Sequence, residues 1–189
     1  MDRAYKHFNR GVRLSTRAHA THEKGNIKRA NRLARKSLAQ FDEVLRLDPE
    51  HLGALAYKGF MLAWVGETAA AASAFAEACR LDPDNEETLR QLGLCLLEIG
   101  DFPAARGATL RAVELSEDPA FTEAAAVEVY NYGSHLMEIA ARHRDEGDPA
   151  EEQRCYRAAY EAFSLSRQIQ DAEHTRQALQ IVGRCLDQA

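Results

Sequence analysis

One spacing governs what this chain can fold into. A 34-residue interval separates Leu47 from Leu81 and Leu81 from Leu115. Gly59 and Gly93, Gly66 and Gly100, Ala71 and Ala105, and Ala78 and Ala112 keep the same interval. A fixed period of this length is the signature of a stacked array of small structural units. Each unit buries its apolar face only against its neighbours.

The residues on the period say what the unit is. Aromatics are 7% of the 189 residues, while alanine, leucine, arginine and glutamate are abundant, a composition whose side chains lose little rotamer freedom in a helix. Gly66, Gly100 and Gly147 fall where a helix should stop and reverse, a role for a residue that tolerates positive φ. Gly59, Gly93 and the small alanines fall inside helices, where missing side-chain volume lets two helices approach. Asp-Pro recurs at Asp48-Pro49, Asp82-Pro83, Asp118-Pro119 and Asp148-Pro149. Aspartate caps a helix start and proline suits the first helical position, so each pair is expected to open a helix. The unit is helix, tight turn, helix.

In residues 52–85, Leu55, Gly59, Leu62, Gly66, Ala71, Phe75, Ala78 and Pro83 resemble the tetratricopeptide repeat family. Residues 86–119 follow with Leu89, Leu92, Gly93, Leu96, Gly100, Ala105 and Ala112, Thr109 replacing the usual aromatic. Residues 4–51 look like a longer first repeat, with Gly11 and Leu14 in one helix, Phe41, Val44 and Pro49 in the other, and a turn near Gly25-Asn26. Residues 120–166 look like a second stretched unit marked by Tyr132-Gly133, Leu136 and Gly147. Residues 168–187 read as a capping helix with a polar outer face. The resemblance implies an all-α, right-handed superhelical solenoid of helical hairpins, one domain over residues 1–189.

It also implies a place for binding. First helices of the family line a concave groove that takes extended peptides or helices. Carried over, those positions are Tyr57, Phe60 and Trp64, then Arg90, Gln91, Leu94 and Glu98. By the weaker flanking alignments Tyr5, Phe8, Asn9 and Val12 join at one end, and Tyr130, Asn131 and Ser134 at the other. Aromatics and arginine dominate binding hot spots, which favours a partner's apolar side chains as the ligand. The i, i+3, i+7 spacing of Tyr57, Phe60 and Trp64 also describes a buried helix face. The lysine and asparagine clamp with which some relatives hold a C-terminal carboxylate is not matched, since those positions carry Ala56, Phe60, Arg90 and Leu94.

Charge is unevenly spread. The net charge is -5, yet residues 1–36 carry 11 of the 24 Lys/Arg and 2 of the 29 Asp/Glu. Lys6, Arg10, Arg13 and Arg17 form one helical stripe opposite Tyr5, Phe8, Val12 and His19. Lys28, Arg32, Arg35 and Lys36 form another opposite Ile27, Ala30, Ala34, Leu38 and Phe41. A solvated face is the plain reading of such stripes. Among functional readings an acidic protein surface ranks first, a second copy's acidic repeats included. Nucleic acid ranks below it, because Tyr5 and Phe8 sit on the apolar side rather than among the cations. A membrane surface ranks last.

Catalysis finds little foothold. The sequence has no phosphate-binding glycine loop, nucleophile elbow or zinc-protease motif. His19, His22 and Glu23 share a face beside a lysine-bearing turn and read as surface polar residues rather than a metal site. Glu86-Glu87 and Glu151-Glu152 follow helix starts, where the macrodipole favours negative charge. Cys79, Cys95, Cys155 and Cys185 are scattered and read as reduced, buried thiols. No run approaches the apolar length of a membrane span, and the N-terminal residues lack the apolar core of a secretory signal. The expectation is a cytoplasmic adaptor, scaffold or chaperone-like module that needs no cofactor and holds another protein.

Overall fold

The computed structural model describes residues 3–187, leaving the outermost residues of the 1–189 domain reading, Asp2 among them, outside it. Nine α-helices and no strands occur among the described residues. They run α1 Arg3–Glu23, α2 Ile27–Leu47, α3 Leu52–Trp64, α4 Thr68–Leu81, α5 Glu86–Glu98, α6 Phe102–Leu115, α7 Pro119–Glu146, α8 Pro149–Ile169 and α9 Glu173–Asp187. The 34-residue period is visible in the boundaries. Helix α3 begins at 52 and α5 at 86; α4 ends at 81 and α6 at 115. The chain forms two compact units that divide between Ile99 and Gly100.

In the first unit α1 packs along α2, and α2 to α5 follow as successive neighbours. The α1–α2 turn closes in two backbone bonds, Gly25 N to His22 O and Asn26 N to Thr21 O, which need Gly25 at φ 76°. Asn26 then caps α2 by accepting from the Arg29 amide at 3.1 Å. Phe41 fills the space that Gly11 leaves in α1, and Phe75 does the same for Gly59 in α3. Phe41, Val44, Ala54 and Met61 form one buried cluster, and Leu62, Ala71 and Phe75 a second. The Ser37 hydroxyl donates to the Gly11 carbonyl at 2.7 Å, a buried bond that ties α2 to α1 just beside Phe41.

The second unit is built on the long α7–α8 pair, with α6 against both and α9 on α8. Phe163 occupies the space left by Gly133, and the buried Ser166 hydroxyl donates to the Ala126 carbonyl at 3.0 Å. The glycine seat repeats that of Phe41 on Gly11, while the serine bond falls elsewhere: Ser37 precedes Phe41 and bonds Gly11 itself, whereas Ser166 follows Phe163 and bonds Ala126, a residue well before Gly133. The interval from Gly11 to Phe41 equals that from Gly133 to Phe163, and both exceed that from Gly59 to Phe75. The excess amounts to about two full turns in each helix of the long hairpins. The capping helix starts at Glu173, because α8 runs on to Ile169.

The Asp-Pro pairs do two different jobs. Asp118 and Asp148 cap α7 and α8, with proline in the first turn. Asp48 and Asp82 instead end α2 and α4, where each backbone N–H closes the final turn. Pro49 and Pro83 sit in the following loops and forbid a further turn. The helices that come next are capped by His51, accepting from Ala54 N, and by Asn85, accepting from Thr88 N. The expectation that all four pairs open helices is therefore corrected at two of them.

Candidate functional site

A groove of about 530 Å³ lies across α1, α3 and α5 of the first unit. Its walls are Tyr57, Phe60, Met61, Ala63 and Trp64 of α3, with Ser15, Thr16 and His19 of α1 and Gln91 of α5. Phe60 is half-buried and meets Phe75 edge to face at 5.2 Å between ring centroids. Tyr57 stacks on Phe41 at 5.5 Å, yet remains 37% exposed. Tyr57, Phe60 and Trp64 thus each line the groove while resting in part on the core.

Trp64 has the most defined surroundings. Its indole N–H donates to Asn31 Oδ1 at 3.2 Å. His19 and His22 stand edge-on to the ring at 4.3 and 5.0 Å. With its donor satisfied by α2, the ring presents apolar surface to the groove. Neither histidine belongs to a metal cluster, as no group of three or more candidate ligands occurs among the described residues.

The α5 residues are arranged by an acid that sequence reasoning assigned only to the helix dipole. Glu87 accepts from Arg90 Nε at 2.9 Å and Nη2 at 2.7 Å, and from Gln91 Nε2 at 3.0 Å. Arg90 keeps only 13% of its side chain exposed. Gln91 reaches the groove wall while Arg90 is held against Glu87. Leu94 is half-buried on α5, and Glu98 is exposed and accepts from the Thr68 hydroxyl at 2.9 Å. Asn131 belongs to the second unit, exposed on α7, beside Tyr130, which packs between Phe163 and His174.

The N-terminal cations separate into groups. Arg10 and Arg17 of α1, with Arg32 and Lys36 of α2, line a cleft of about 480 Å³ along the α1–α2 seam, joined by Arg29. Lys6, Arg13, Lys28 and Arg35 are exposed outside it. Arg13 donates to the Asn9 carbonyl at 3.3 Å, and Arg35 pairs with Glu67 at 3.3 Å. Arg29 was missed because a stripe drawn on α2 alone does not say which flank meets α1.

Burial shifts several protons upward. The Cys79 and Cys95 thiols are pushed to about 11, chiefly by burial and further by Asp82 and Glu98 respectively. Burial, then a hydrogen bond with Glu152, holds the Tyr156 phenol at about 12. All these groups stay neutral near pH 7, so none is primed as a nucleophile or base. No helix among the described residues is long and apolar enough to cross a membrane.

Antiparallel helical hairpins on a 34-residue period, with a glycine of one helix seated on a phenylalanine of the next, define a tetratricopeptide-type repeat fold. Among solved structures the chain is similar to MamA, a tetratricopeptide-repeat protein. One MamA crystal structure aligns over 93% of this chain and 83% of its own, at 18% identity and a TM-score of 0.52. Another aligns over 89% and 85%, at 19% identity and a TM-score of 0.50. No family model matches the sequence, and no curated protein does.

Proposed function

We propose that the chain is a protein-interaction module that holds a peptide or helix of a partner in the α1, α3 and α5 groove. The observation that carries this reading is Trp64. Its N–H is occupied by Asn31, His19 and His22 meet its ring in T-shaped contacts, and its remaining surface opens onto an apolar groove. Such a pocket rewards an apolar anchor residue, and Thr16 and Gln91, whose own donors go to the Val12 carbonyl and to Glu87, leave oxygen acceptors for the partner's backbone N–H groups. Adaptor, scaffold and chaperone-like roles all use this one act of holding, in the cytoplasm and without a cofactor.

The test is selection of random peptides on the immobilised full chain. Selected sequences are expected to share a large apolar residue and to bind Trp64→Ala and Phe60→Ala at least about tenfold more weakly, as buried anchors do. Circular dichroism should show unchanged helicity in both variants. Peptides that bind both variants as tightly as the parent would refute the groove reading.

A further inference from the structure

We infer that the α1–α2 seam is a second binding site, which takes an extended acidic segment of a partner protein with an apolar residue set between its carboxylates. Five cations converge there: Arg10 and Arg17 from one helix, Arg29, Arg32 and Lys36 from the other. None of the five forms an ion pair among the described residues, whereas Arg35, just outside the cleft, does. Crowding like charges without a counter-ion costs free energy that an anionic ligand recovers, and guanidinium groups fit carboxylates two bonds at a time.

The floor of the cleft decides among anions. Between the cations lie Leu14, Leu33 and Ala39. Arg10 and Arg17 stand about two turns apart, or about 10 Å along the helix. An extended segment places alternate side chains on one side at intervals of about 7 Å. With acid, apolar residue and acid at alternating positions the two carboxylates stand about 14 Å apart, a span that the long, flexible side chains of Arg10 and Arg17 reach from backbone positions about 10 Å apart, with the apolar residue over Leu14 between them. A nucleic acid strand would leave the leucines unused, and no aromatic lines the cleft to stack a base.

The site is also separate from the groove. Along α1, Arg10, Leu14 and Arg17 fall within about 60° of one another, with His19 roughly opposite at about 100° per residue. Loss of one site therefore does not imply loss of the other.

The experiment titrates the full chain against a fluorescent peptide, Glu-Ser-Leu-Ser-Glu-Ser-Leu, at about 0.1 M salt, where screening confines charge effects to about 10 Å. The same peptide with serine for leucine, and short single-stranded and duplex DNA, serve as competitors. Arg17→Glu with Arg32→Glu should weaken peptide binding at least about tenfold. Lys6→Glu with Lys28→Glu, an equal charge change outside the cleft, should weaken it far less, and Trp64→Ala should leave it intact. The leucine-free peptide should bind several-fold more weakly. Equal loss in the two charge variants, or equal binding of the two peptides, would overturn the proposal. So would tighter binding of DNA than of peptide, or a dimer at low salt whose formation, with no peptide bound, requires Arg17 and Arg32.

Discussion

Gly59 and Phe75 are packed so closely that a Cβ on the glycine would stand 2.7 Å from Phe75 Cε1. Gly11 with Phe41 and Gly133 with Phe163 repeat the contact at 2.6 and 2.8 Å. The displaced atom would be ring rather than a flexible chain end, and each ring is buried. Gly59→Ala should therefore destabilise the protein by about 1–3 kcal/mol through overpacking. Gly107, in α6, has open space where its Cβ would be, and Gly107→Ala should stabilise by up to about 1 kcal/mol from helix propensity alone. Urea unfolding of both variants checks the pair; the same sign in both would contradict the packing account.

Asn85 opens α5 by accepting from the Thr88 amide at 3.0 Å and the Thr88 hydroxyl at 2.8 Å. Thr88 is buried, so losing that acceptor strands its hydroxyl as well as the amide. Asn85→Ala should cost about 1 kcal/mol or somewhat more, with Asn85→Ser recovering part of it and Asn85→Asp less, because its carboxylate would face Asp82, to which the Asn85 amide now donates at 3.2 Å. Thermal unfolding of the three variants reads this directly.

The thiols give a pH prediction. With Cys79 and Cys95 raised to about 11, the thiolate fraction at pH 8 is roughly 100-fold below that of an ordinary cysteine. Iodoacetamide should label both slowly in the native protein and rapidly in urea, as peptide mass spectrometry would show. The linkage has a definite sign. Above pH 9 the unfolded thiols lose protons that the native ones still hold, so stability should fall as pH rises from about 9 toward 11. Native labelling at the rate of free cysteine would contradict the burial that sets these values.

Trp64 is the chain's single tryptophan, and it lies in the groove. Its emission should shift when a peptide anchors there and stay constant when an acidic peptide occupies the α1–α2 seam. Fluorescence titration thus reads the two sites apart. An emission change with the acidic peptide that survives Arg17→Glu with Arg32→Glu would place that peptide in the groove instead.

The central helices were legible because a turn glycine and a packing glycine recur on the same 34-residue ruler. The two functions of Asp-Pro were not. Asp48 and Asp118 look alike locally, and what separates them is whether the chain has just finished a helix or is about to begin one. The groove was legible through Tyr57, Phe60 and Trp64, which share a helix face. His19 and His22 are remote from Trp64 in sequence, and their contact with it exists only once α1 crosses α3. Glu87 stands in the first turn of α5, where an acid is common for reasons of dipole alone; its hold on Arg90 and Gln91 is a matter of rotamers. Arg29 is one of several cations on α2, and only the approach of α1 selects it for the cleft.

The equal glycine-to-phenylalanine intervals of the two long hairpins bear on how such a chain can change its length. Two added turns per helix extend its reach while preserving phase, since whole turns return every side chain to nearly its former azimuth. One residue inserted midway in α1 would rotate the rest of the helix by about 100°, swinging Arg17 off the seam and His19 off Trp64 together. Whole-turn pairs are the increments that lengthen a hairpin without exchanging its charged and aromatic faces. Reach and recognition can therefore vary independently in this fold.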